Sequence, residues 1–150
     1  MIREDSSCDF CEIARGRTGG VEAVAEAEEW IAFFPKEPAT PGHTLLIPRL
    51  HTPDLWSAPP VIASRLMEGA TGLGRAIIQA VKPDGMNLIT SSGSAAEQTV
   101  FHLHLHLVPR WHADGFGPIW PAEGERLTNG ALARLANEIH EAWLNISGDL

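Results

Sequence analysis

The period of the apolar positions changes along the chain, and the changes mark out its elements. Between Pro60 and Val81, residues Ile62, Leu66, Ala70, Leu73 and Ile77 recur at steps of three and four, which predicts a long helix with one buried stripe. Pro59 and Pro60 suit its first turn, where a missing N–H costs nothing, and Pro83 bars its continuation. Leu132, Leu135, Ile139, Trp143 and Ile146 repeat this spacing near the C-terminus, with Thr128 as the predicted cap of a second amphipathic helix. Shorter runs at 21–26, 30–34, 43–48 and 86–90 read as strands, the run HTLLIP at 43–48 being apolar enough to be buried on both faces. A short helix is predicted over 8–16. Pro35, Pro38 and Pro41 make a rigid connector, and GFGPIWPAEG reads as loop.

The strictest alternation lies at 100–108. A strand there puts His102, His104 and His106 on one face, about 7 Å apart, and Phe101, Leu103, Leu105 and Leu107 on the other. A solvated face does not need three identical titratable residues. Such a row suits either a metal site or a nucleophile tuned by its neighbours. Together the elements predict one α+β domain over 1–150, with a mainly antiparallel sheet of about five strands, one long helix and a C-terminal helix.

Composition narrows the function. Apolar residues make up 44% and charged residues 20%, an ordinary globular balance. No apolar run reaches the roughly 18 residues of a spanning helix, so no membrane partner is expected. The opening MIREDSSCDF lacks the basic and apolar parts of a secretory signal, which makes the cytoplasm the expected location. A formal net charge of -8 argues against nucleic acid as a partner. A small phosphorylated ligand stays open if local donors hold it. Neither a P-loop nor a G-x-G-x-x-G pattern follows a strand, so phosphate must be bound by other groups.

Cys8 and Cys11 are the only cysteines. Two are too few for a disulfide framework, and they do not sit at a strand-to-helix turn of a βαβ unit, which weakens a redox reading. C-x2-C is half of a zinc site, and two further ligands would complete it.

Three blocks, in order, carry a resemblance: CDFCEIARG at the start, PATPGHTLLIPRLH over 38–51, and QTVFHLHLHLVPR over 98–110. Together they resemble the histidine triad (HIT) superfamily of nucleotide hydrolases and transferases. The resemblance implies a HIT-like fold and a homodimer whose sheets join. It implies that His104 is the nucleophile, attacking the α-phosphorus of a nucleotide to form a nucleotidyl-histidine. His106 and His43 match residues that line the phosphate site, Thr99 matches a hydroxyl near the leaving group, and Gln98 matches the adjoining amide. Ser91 stands where relatives carry an amide near the nucleophile, and Asn87, at the head of the same stretch, is a further substrate-binding candidate. By the same resemblance, His51 and His102 complete a structural zinc site with Cys8 and Cys11.

The expected substrates are dinucleoside polyphosphates or nucleotide phosphoramidates. A phosphate-dependent phosphorylase, a non-catalytic nucleotide sensor and a zinc-stabilised interaction module are the alternatives. Three positions depart from the family pattern: Pro35 replaces an acidic residue that grips ribose, Ser91 replaces the amide, and Glu97 replaces a common glycine. Trp120 is read as packing or cover over a base, and His112 and His140 as ordinary residues.

Overall fold

A computed structural model describes residues 8–17 and 20–147. The chain divides into two compact units, Met1–Gly117 and Pro118–Leu150. In the first, five strands form one antiparallel sheet in the order β1-β2-β3-β5-β4: β1 Ala23–Glu26, β2 Trp30–Phe33, β3 Thr44–Pro48, β4 Gly85–Ile89 and β5 Leu105–Arg110. Helices α1 (Asp9–Ala14) and α2 (Pro60–Val81) complete the α+β architecture.

Every residue of β3 is buried, because the sheet is covered on both faces. Leu46 joins Leu66, Ala70, Leu73 and Ile77 of α2 in one cluster, to which Leu103, Leu105 and Leu107 belong. Leu45 and Ile47 point the other way and pack with Ile13 and Ala14 of α1, together with Ile31 and Phe33. Burying one such leucine or isoleucine contributes about 1.5–3 kcal/mol. Helix α2 has the predicted bounds and ends at Lys82 in a left-handed conformation (φ 49°), one residue before Pro83. Its Gly69 lets the Trp30 indole approach closely: a Cβ there would lie 2.8 Å from the ring.

The predicted strand at 100–108 needs correction. Strand β5 starts only at Leu105, so His102 and His104 precede it and only His106 lies within it. The cause is a shortage of partners. β3 pairs with β5 as far as Leu105, and β4 ends at Ile89 opposite His106, so nothing extends the ladder upstream. There the Leu103 N–H donates to the Thr52 carbonyl instead, at 2.7 Å. Leu103, Leu105 and Leu107 are buried as the alternation predicts, but Phe101 is 55% exposed.

In the second unit, α3 spans Asn129–Ser147. The Ala131 N–H donates to Thr128 Oγ1 at 3.3 Å, as predicted for the cap. Its apolar positions Leu132, Leu135, Ile139, Trp143 and Ile146 are all exposed, and so is Trp120. Among the described residues no helix is long and apolar enough to cross a membrane.

Candidate active site and metal cluster

The backbone fixes the state of each histidine in the row. His104 Nδ1 lies 2.7 Å from the His102 carbonyl, and a carbonyl only accepts, so Nδ1 carries the proton and Nε2 keeps its lone pair. The Ala39 N–H donates to His43 Nδ1 at 3.0 Å, which leaves the proton on His43 Nε2. That Nε2–H donates to His106 Nδ1 at 2.9 Å, so neutral His106 holds its proton on Nε2. The result is one imidazole with an unshared pair beside another that presents a donor. Their ring centroids are 4.9 Å apart.

Burial pushes His106 down to about 4, helped by the neighbouring His104 and His43, and burial also lowers His43. His106 and His43 are therefore neutral at pH 7. Because the unfolded chain takes up a proton at His106 more readily than the folded one, acid favours unfolding. Stability from this source is complete above pH of about 6.5 and is lost as the pH falls toward the folded value. Denaturant midpoints at about pH 7 and pH 5 should differ, and His106→Gln should narrow the difference. An unchanged difference would remove His106 as a contributor.

A cavity of about 860 Å³ is lined by Phe10, Ile13, Val21, Phe33 and Leu45 together with Thr99 and Val100, and none of the row's histidines is in its wall. Phe10 joins the two features: it lines the cavity and sets its ring edge against His104, centroids 5.3 Å apart. Asp9, Glu12, Lys36 and Glu37 give the cavity charged groups of both signs, and Pro35 also lines it. Sequence reasoning missed Phe10, which reads as a spacer between cysteines, although an aromatic one residue from a candidate metal ligand was a usable signal.

Gln98 is buried, and both ends of its carboxamide are engaged within the protein. Its Oε1 accepts from the Gly93 N–H at 2.8 Å, and its Nε2 donates to the carbonyls of Pro53 (2.7 Å) and Val100 (3.1 Å). Asn87 Oδ1 accepts from Arg110 Nη1 at 2.7 Å. Ser91 is partly buried in the loop after β4, and Thr99 is exposed at the cavity side. Thr90 Oγ1 donates to the His104 carbonyl at 2.9 Å.

The cysteine cluster gathers around His102 and His51. Ligand atoms of Cys8, Cys11, His51 and His102 all fall within 4.8 Å of one another. Both sulfurs are 3.5 Å from His102 Nδ1, and Cys11 Sγ is 3.2 Å from His51 Nδ1. Tetrahedral zinc with ordinary Zn–S and Zn–N bonds requires sulfur and nitrogen about 3.5 Å apart, so the donor set fits the ion. His102 Nε2–H donates to the Pro48 carbonyl at 2.9 Å, aiming Nδ1 inward, and burial lowers His102 to about 4, keeping it in the neutral, ligating form.

The HIT domain model matches residues 21–113. The chain belongs to the HIT family. Among curated relatives it is 31% identical to protein hit of Bacillus subtilis, over 89% of this chain and 92% of that one. It is also 31% identical to adenylylsulfatase HINT3 of Arabidopsis thaliana, over 89% of this chain and 66% of that protein. Of the solved structures, a HIT family protein from Bacillus anthracis has a TM-score of 0.84 at 36% identity, covering 93% of this chain and 99% of that one. A zinc-bound histidine triad family protein from Mycobacterium smegmatis has a TM-score of 0.63 at 36% identity, covering 88% and 97%.

Against the HIT pattern, one departure now has a physical cost. Glu97, where the family commonly has glycine, adopts a left-handed conformation (φ 64°) that glycine takes without strain. The turn is closed around it, since the Glu97 N–H donates to Ser94 O and the Gln98 N–H to Gly93 O.

Proposed function

We propose that the protein is a cytoplasmic nucleotide hydrolase or transferase working through a nucleotidyl-histidine on His104. Membership of the HIT family, with an adenylylsulfatase among the relatives, supports nucleotide hydrolysis in general. The observation that carries the finer reading is the Nδ1–H donation from His104 to the His102 carbonyl, which leaves the Nε2 pair unshared on a ring that packs against Phe10 of the cavity wall. Nε2 attacks the α-phosphorus and the bond to the leaving group breaks, while His106 Nε2–H donates a hydrogen bond to the developing charge and the leaving group takes its proton from solvent. Water then attacks the phosphorus, the P–N bond breaks and His104 regains its pair. The proton released by water passes to solvent. His43 holds His106 in the required tautomer through the 2.9 Å contact.

The apolar wall of the cavity suits a nucleobase, and Thr99 and Ser91 suit contacts to the leaving group. The substrates proposed are dinucleoside polyphosphates, nucleotide phosphoramidates and, by likeness to the Arabidopsis relative, adenylyl sulfate. Cys8, Cys11, His51 and His102 would hold a structural zinc ion, whose contribution is to tether α1 to the histidine row. To test the function, the protein is incubated with diadenosine polyphosphate and with an adenosine phosphoramidate, quenched with denaturant at alkaline pH, where a P–N bond survives, and digested. A nucleotidyl adduct on the peptide bearing His104 is expected. Tight nucleotide binding without adduct or turnover would favour a sensor, and turnover only with added phosphate would favour a phosphorylase.

Two copies of the chain are proposed to join through β4. This edge strand has one unpaired side and carries exposed Leu88, near exposed Met67 and Ile78 of α2 across a shallow apolar groove. Light scattering should give twice the chain mass. A monomer at micromolar concentration would sink the pairing.

A further inference from the structure

The loop from Thr90 to Thr99 carries Ser91 and Thr99 but has no apolar anchor. Its short helical turn, Ser94–Ala96, buries nothing, and Gln98 is its one buried residue. Packing therefore does not set its position. Hydrogen bonds do, and they converge on residues 53 and 54 of the loop that follows His51. Asp54 Oδ1 accepts from the Ser57 N–H at 2.9 Å and the Ser57 hydroxyl at 2.7 Å, which is an ordinary local turn. Its other oxygen is not needed for that turn. Oδ2 accepts from the Ser92 hydroxyl at 2.6 Å, 38 residues away in sequence and adjacent to Ser91. An O–H donor to a carboxylate at this separation is in the strong, charge-assisted range. Pro53 takes the second strut, from Gln98 Nε2, adjacent to Thr99. A third ties the loop to the nucleophile itself, through Thr90 Oγ1 and the His104 carbonyl.

We propose that Asp54 is a positioning residue that fixes the 90–99 loop so that the hydroxyls of Ser91 and Thr99 meet the departing group. This rests on the reading of His104 as the nucleophile. Gln98 acts with Asp54 in the same brace, since its amide has no group left over for substrate. The same hydrogen bonds keep the Asp54 carboxyl below its usual range, Ser92 first and Ser57 second, so it is ionised at neutral pH.

A leaving group that must be stabilised as it departs depends on those hydroxyls, whereas one that leaves as a stable anion does not. The experiment compares an adenosine phosphoramidate with a poor amine leaving group against a 4-nitrophenyl ester of AMP. Asp54→Ala is expected to lower kcat on the phosphoramidate about 10-fold or more with KM unchanged, and to change the nitrophenyl ester by less than about 3-fold. Asp54→Asn keeps an acceptor for Ser92 and should recover most of the loss. Ser92→Ala should reproduce it, and the double variant should add little, because both remove one strut. Ser92→Ala also decides the matter if Asp54→Ala folds poorly, since it leaves the Ser57 turn intact. Equal losses on the two substrates, or no loss, would overturn the positioning role while leaving His104 in place. A parent protein that turns over neither substrate would overturn both readings together.

Discussion

His104→Ala should abolish turnover, by on the order of 10⁴-fold or more, because the proposed reaction uses the unshared Nε2 pair that the backbone lock on this ring leaves available. The nucleotidyl adduct should vanish with it. The substitution leaves the His102 carbonyl without a donor in a buried setting, so a fall in activity must be separated from a fall in folding. His104→Asn retains an amide donor for that carbonyl and is the better control. A folded Asn variant with parental rates would refute the assignment. His106→Ala should be less damaging, roughly 10²-fold to 10³-fold, since it removes a hydrogen-bond donor to the phosphate and not the proposed attacking atom. That ranking is itself a test.

The second large effect concerns the metal cluster. Cys11→Ala, or exhaustive chelation, should lower Tm by about 10 °C or more, because a few kcal/mol of ligation would be lost from a 150-residue chain. Cys11 is buried on α1, and its sulfur reaches both His51 and His102. Without the ion, four donors from three separate segments are left facing one another. Protein purified without added metal should contain about one zinc per chain. Zinc near zero, with Tm unaffected by chelator, would remove the ion from the account. His51→Ala provides a second route to the same loss, and it leaves the histidine row untouched.

Much of the frame was legible from periodicity. The bounds of α2 follow from Pro60, Pro83 and a clean stripe of apolar residues, all of them local signals. The start of β5 was not legible, because alternation reports which way side chains face and not whether a neighbouring strand supplies hydrogen bonds. The stripe on α3 makes the same point: spacing identifies an apolar face but not what covers it, and here that face is exposed. In the site, residue types and order pointed to His104, His106 and His43, while their protonation became readable only from the carbonyl of His102 and the N–H of Ala39. Gln98 shows the limit most plainly. An amide in a motif suggests a ligand contact, yet its partners lie 45, 5 and 2 residues away along the chain and engage both of its ends.

Phe10 sits between the two cysteines and touches both His102 and His104, its ring centroid 6.0 Å and 5.3 Å from theirs. A drift of α1 by even a fraction of an ångström would be felt as a tilt of the His104 ring. Helix α1 and the histidine row are thus not free to diverge separately. A lineage that gave up the cysteines would have to evolve another anchor for that one aromatic side chain, or let the row loosen.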